Sequence, residues 1–141
     1  MIRAFESSDM NDVLNIWLGA SIEAHGFVEK EFWESRVNNM REIYIPDSET
    51  YVFSENGTVK GFVSLKEDSL AAMFVSPDAQ GKGIGRQLMN KAKSLRRRLS
   101  LTVYRENEKS MRFYMKCGFR PVKERVDEHT GHIEILMEYS S

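Results

Sequence analysis

The stretch Val75-Ser76-Pro77-Asp78-Ala79-Gln80-Gly81-Lys82-Gly83-Ile84-Gly85-Arg86 decides how the rest of the chain reads. It joins an apolar run, Leu70 to Val75, to a segment with helical character from about Gly85 to Arg97. Glycine tolerates positive φ and lets a ligand come close to the backbone. The first amides of a helix lack intrahelical partners, and the helix dipole favours an anion beside them. Gly81, Gly83 and Gly85 can therefore form a phosphate cradle, with Lys82 and Arg86 adding charge.

Two other phosphate-binding patterns fail here. The P-loop string G-x-x-x-x-G-K-[ST] is absent. A dinucleotide G-x-G-x-x-G begun at Gly81 meets Arg86 where glycine belongs, and begun at Gly83 it meets Leu88. The preceding strand also follows a hairpin instead of opening a βαβ unit.

Working outward, Ile2 to Phe5 reads as a short strand, and Ser7, Ser8 and Asp9 supply capping chemistry for a helix carrying Val13, Ile16, Trp17 and Ala20. A second helix is expected over 29–44, stopped by Pro46. Strands are expected at 51–55, 59–65 and 70–75, antiparallel in sequence, with Asn56-Gly57 as a type I′ turn. Beyond the glycine-rich turn the pattern gives a strand at 99–104 and a short helix over 110–117 that Gly118 ends. Two strands at 122–126 and 133–139 follow, on either side of a turn containing Gly131. The expectation is one mixed α/β domain over 1–141.

The segment Gln80-Gly81-Lys82-Gly83-Ile84-Gly85 matches Q/R-x-x-G-x-G/A, and Val75-Ser76-Pro77 precedes it. Downstream, Asn107 to Phe119 matches N-x-x-(A/S)-x-x-F-Y-x-x-x-G-F through Ser110, Phe113, Tyr114 and Gly118. With strand, proline and helix in place, the chain resembles the GNAT superfamily of N-acetyltransferases over about fifty residues. The resemblance implies a mixed sheet of six to seven strands, mostly antiparallel, with about four helices and a splayed strand pair that binds acetyl-CoA. It implies that Met73, Phe74 and Val75 pair with pantetheine and that residues 81–86 hold the pyrophosphate. It further implies that Gln80 and Asn107 belong to the cofactor site and that Tyr114 faces the thioester sulfur as the catalytic residue. Its acceptor would be an amine of a small molecule or of a peptide or protein, and homodimers are common among such proteins. A non-catalytic acyl-CoA-binding domain is the alternative, disfavoured by the intact Tyr114.

The base for the acceptor amine is not evident. The two strands expected to splay, Leu70–Val75 and Leu99–Tyr104, carry no carboxylate. Glu67, Asp68, His25 or a water chain remain as candidates, and His25 is favoured by its ordinary pKa near 6.5.

Composition bounds the rest. Charged residues at 29% with 41% hydrophobic ones fit a soluble globular chain of 141 residues. The longest apolar run is too short to cross a bilayer, so no membrane partner is expected. Cys117 is the only cysteine, which permits no internal disulfide or cysteine metal site and suits a reducing cytoplasm. Residues 1–80 hold 6 Lys/Arg and 14 Asp/Glu, net −8; residues 81–141 hold 14 and 7, net +7. The split suggests an anionic ligand for the second half and a cationic one for the first. Lys91, Lys93, Arg96, Arg97 and Arg98 read as a solvated helix end, with no interleaved aromatics to suggest nucleic acid.

Overall fold

Strand and helix periods alternate along the chain, and a computed structural model describes the outcome for residues 1–141. In chain order the main elements are β1 (Ile2–Ala4), α1 (Met10–Ala24), α2 (Lys30–Asn39), β2 (Glu49–Glu55), β3 (Thr58–Lys66) and β4 (Ser69–Val75). They continue as α3 (Ile84–Leu95), β5 (Arg98–Tyr104), α4 (Glu108–Lys116), β6 (Arg120–Val126) and β7 (Ile133–Ser140). The seven strands form one sheet in the order β1-β2-β3-β4-β5-β7-β6, antiparallel at every pairing but β4 with β5. This is the splayed, mostly antiparallel architecture that the GNAT resemblance implies.

Helices cover both faces. Val13, Leu14, Ile16 and Trp17 recur along one side of α1 and pack with Trp33 of α2 against Val52, Val59 and Phe62. Trp17 and Trp33 meet edge-on with ring centres 6.0 Å apart, a geometry that adds about 1 kcal/mol beyond burial. On the opposite face Ile84, Leu88, Met89 and Ala92 of α3 pack on Val63, Leu65, Leu99 and Leu101.

Boundaries follow local chemistry. Asn56 and Gly57 both have positive φ, as a type I′ turn requires. The helix expected over 29–44 ends at Asn39 and widens into a π turn over Met40–Tyr44, where Ile45 N–H donates to the Met40 carbonyl at 3.0 Å. Ser7–Asp9 forms a short 3-10 turn, so the regular helix starts only at Met10. The edge strand β6 is exposed throughout, and Arg120, Lys123, Glu124 and Arg125 discourage edge pairing.

Gly61 marks the tightest helix–sheet approach. A Cβ there would lie 3.1 Å from the Phe74 carbonyl oxygen, 3.2 Å from Leu88 Cδ1 and 3.3 Å from Ile84 Cγ2. The carbonyl belongs to a paired strand and cannot rotate away. Gly61→Ala is therefore expected to destabilise the fold by about 1–3 kcal/mol, read as a lower urea midpoint with an unchanged slope.

Candidate active site

Opposite Ser64 lies Ala72 and opposite Leu65 lies Leu70, so Ala71 is an extra residue that makes a bulge in β4. Beside it, β4 and β5 touch at a single register pair, Ser69 with Ser100, supported by Ser100 N–H donating to the Asp68 carbonyl at 2.9 Å. Beyond that point the strands part. Ser76 N–H donates to the Lys60 carbonyl, so alternation along β4 turns the backbone of Phe74 toward β3. The same alternation turns the backbone of Met73 and Val75 toward the gap. The side chains do the reverse: Phe74 lines the cavity on the α1 face, while Met73 and Val75 pack toward α3.

At the end of β4 the chain enters the glycine-rich turn. Gln80 Nε2 donates to the Val75 carbonyl at 3.2 Å, fixing the turn to the strand. Gly81 and Gly83 hold φ of +80° and +83°, and Gly83 is the N-cap of α3. No turn or cap hydrogen bond uses the amides from Gln80 to Arg86; the first in this stretch runs from Gln87 N–H to the Gly83 carbonyl at 3.1 Å. Lys82 and Arg86 are exposed beside these amides, whereas Ile84 is buried as the helix anchor. Gly85 lies against Phe113 and Val75, where a Cβ would stand 3.5 Å from the Phe113 ring. The free donors, the dipole and the two cations fit a pyrophosphate.

The gap opens into a cavity of about 380 Å³ on the α1 face. Tyr114 and Ser110 of α4 line it, together with Thr102 and Tyr104 of β5, Ala72 of β4, and Trp33 of α2. The Tyr114 hydroxyl is pushed up to about 12 by burial, with a smaller contribution from Cys117. Asn107 is buried and caps α4, its Oδ1 accepting from Ser110 N–H at 3.3 Å. Its amide group then faces His25 Nε2 at 3.3 Å. With Oδ1 used by the cap, that nitrogen accepts and the imidazole carries its proton on Nδ1.

His25 is thus a very different group from the loop base the sequence suggests. It is 8% exposed and enclosed by Trp33, Tyr104 and Phe27, with ring centres at 5.0, 5.2 and 5.7 Å. Burial lowers its pKa to about 4, with the Ser21 carbonyl working weakly the other way. A neutral imidazole titrating there is a poor base for an amine at neutral pH. Glu67 and Asp68 do not line the cavity: Glu67 offers its carbonyl to Arg96 Nε at 2.7 Å, and Asp68 borders a separate polar depression with Arg98 and Arg120.

The carboxylate that does line the cavity on the β5 side is Glu134, which the sequence reading did not single out. It sits on β7 directly opposite Tyr104. The alternation Glu134, Leu136, Glu138 marks one face of that strand, but only the insertion of β7 between β5 and β6 brings this face to the cavity. Of the basic cluster, Lys91 lies over the Tyr51 ring, Lys93 donates to the Cys117 carbonyl, and Arg96 pairs with Glu49 at 2.8 Å. These three are engaged by other parts of the fold. Cys117 is buried, and burial raises its thiol pKa, so it is no nucleophile.

The acetyltransferase (GNAT) domain model matches residues 46–121, which hold the bulge, the glycine-rich turn and α4. The chain belongs to the GNAT family, as an acetyl-CoA-dependent N-acetyltransferase. It is 35% identical over 123 residues to the peptidyl-lysine N-acetyltransferase YiaC of Escherichia coli K12, covering 86% of this chain and 84% of that protein. The solution structure of apo YjaB from Escherichia coli superposes with a TM-score of 0.87 at 26% identity, over 99% of this chain and 96% of that one. The fold is also shared with PaiA N-acetyltransferase from Thermoplasma acidophilum, solved in complex with coenzyme A. That match has a TM-score of 0.86 at 20% identity and covers 100% and 98% of the two chains. No helix is long and apolar enough to cross a membrane.

The burial of His25 has a measurable consequence. Its pKa is near 6.5 in the unfolded chain and about 4 in the fold, so the unfolded state binds the extra proton between those values. The stability is present above about pH 6.5 and is lost as pH falls toward 4. Between pH 7.5 and 5 the wild type is expected to lose about 2 kcal/mol more than His25→Gln, measured by urea denaturation at both pH values.

Proposed function

We propose that this enzyme acetylates the side-chain amine of lysine in a peptide or protein, with Tyr114 acting at the thioester and residues 80–86 holding the cofactor. One observation carries the reading: a single cavity runs along the splayed strands and is lined both by Tyr114 and by Trp33, Tyr44 and Ile45 from the α2 side. A long unbranched amine can enter from that side and meet a thioester held in the gap. The relative at 35% identity is named for peptidyl-lysine acetylation, which agrees with such an acceptor.

In this reading the backbone of Met73 and the amide of Val75 pair with pantetheine, the Val75 carbonyl being held by Gln80, and the ring of Phe74 borders the acceptor. Amides from Gly81 to Arg86, with Lys82 and Arg86, hold the pyrophosphate, and Gln80 keeps that loop docked on Val75. Asn107 fixes the start of α4 and so the position of Tyr114. The lone, buried Cys117 agrees with a reducing, cytoplasmic setting.

The neutral amine attacks the carbonyl carbon, the C–S bond breaks, and the proton lost by nitrogen ends on sulfur. Freeing a lysine amine of its proton at pH 7.4 costs about 4 kcal/mol. Tyr114, at about 12, stays protonated throughout, and a thiol is near 8.5. Complete donation from its hydroxyl would be uphill by about 5 kcal/mol. Its role is then to hydrogen-bond the sulfur as negative charge develops, with sulfur receiving the proton the amine gives up.

Tyr114→Phe is expected to lower kcat tenfold to a hundredfold while leaving acetyl-CoA affinity within about threefold, measured by thiol release and calorimetry. Equal kcat would remove Tyr114 from the chemistry. Gly83→Glu places bulk and negative charge in the cradle at a positive-φ position, and calorimetry is expected to show no acetyl-CoA binding by a folded variant. Mass spectrometry of a lysine-containing peptide with acetyl-CoA tests the acceptor: addition of one acetyl group is expected on the lysine side chain, and an unmodified peptide would overturn that part of the reading.

A further inference from the structure

We propose that Glu134 is the acceptor-recognition residue, receiving the ammonium of the incoming lysine before transfer; this rests on the amine-acceptor reading above. Two carboxylates line the cavity, Asp47 and Glu134. Asp47 is paired with Lys66, which lines the same cavity, and both side chains are more than half exposed. That pair cancels its own charge at the outer rim. Glu134 is different. Its side chain is 17% exposed and lies opposite Tyr104, well inside.

Its partner comes from outside the cavity. Arg125 is on the exposed edge strand β6, opposite Glu134 in register, and its Nε donates to Glu134 Oε1 at 2.7 Å. Oε2 receives no hydrogen bond from the chain. One oxygen is therefore occupied by a guanidinium while the other keeps its acceptor capacity, which a lysine ammonium with three N–H donors can use. The other titratable groups on this side do not compete. His25 is neutral, and the Tyr104 hydroxyl is engaged by Asp127. Tyr104 and Trp33 line the same space, two rings of the kind that attract a cation.

The ion pair of exposed Arg125 with half-buried Glu134 invites a purely structural reading, a β6–β7 cross-strand pair, and the two readings predict opposite signs. If the pair only joins the strands, removing either partner has the same effect. If Glu134 receives the acceptor on its free Oε2, only Glu134 touches the ammonium, and the positive charge of Arg125 on Oε1 offsets part of the attraction.

Steady-state thiol release with a lysine peptide separates them. Glu134→Gln is expected to raise the acceptor KM tenfold or more with the acetyl-CoA KM unchanged, and Arg125→Met to bring the acceptor KM to or below the wild-type value. An acceptor KM within twofold of wild type for Glu134→Gln, or a rise in both variants, would overturn the assignment. A second arm does not depend on turnover: NMR titration with Nα-acetyl-lysine methylamide is expected to show binding to the wild type that Glu134→Gln weakens tenfold. Binding that depends on Glu134 without any acetylation would sink the lysine-transfer reading and leave the recognition residue standing; equal binding by both proteins would do the reverse.

Discussion

The constraint on which the site depends is the loss of pairing between β4 and β5 after one bridge, Ser69 with Ser100. A sheet interior leaves few backbone groups unpaired, because each buried orphan costs the desolvation of a polar group. Here the bulge at Ala71 turns β4 away, and the backbone of Met73 and Val75 is left facing a gap. Gln80 answers the Val75 carbonyl, and the groups left over call for water or for a ligand with amides of its own. The same divergence leads β4 into the Gly81–Arg86 turn and β5 toward α4, whose Phe113 lies against Gly85 and whose Tyr114 lines the cavity. The proposed cofactor cradle and the proposed catalytic tyrosine thus have a common structural origin.

Much of this was legible along the chain because it rests on short-range chemistry. Asn56-Gly57 carries its turn type in its own backbone preferences. Gln80 to Arg86 carries its donors through glycine and a helix start, and α4 announces its end through Gly118. The sheet's long-range pairings are another matter. Nothing local tells β7 to enter between β5 and β6, yet that insertion alone sets Glu134 beside Tyr104. Ala71 looks like any other small residue in an apolar run, and only its partners on β3 reveal the bulge.

His25 shows the same limit in a titratable group. Read locally, a histidine just past a helix, beside Gly26, is an exposed residue with an ordinary pKa. Phe27 and Trp33 close over it with Tyr104 from far along the chain, and its acceptor nitrogen meets Asn107, 82 residues away. A sequence pattern cannot price that desolvation, because burial is a property of the assembled neighbours. The outcome inverts the expected role. A candidate proton acceptor becomes a neutral ring that completes the hydrogen bonding of the residue capping α4.

The charge split of the chain sharpens the point about what averages conceal. An acidic first half suggested a surface for a cationic acceptor, but several of its carboxylates are already answered: Asp9 by Arg3, Asp47 by Lys66 and Glu49 by Arg96. The cavity carboxylate without a cation of its own in that space, Glu134, comes from the basic half. Conversely, Lys91, Lys93 and Arg96 of the basic half are engaged with a ring, a carbonyl and a carboxylate, while Lys82 and Arg86 stay exposed at the cradle. With a Debye length of about 8 Å at physiological salt, a ligand responds to the few charges near it. Which charges those are is decided by strand order, and net charge over eighty residues of sequence carries little of that information.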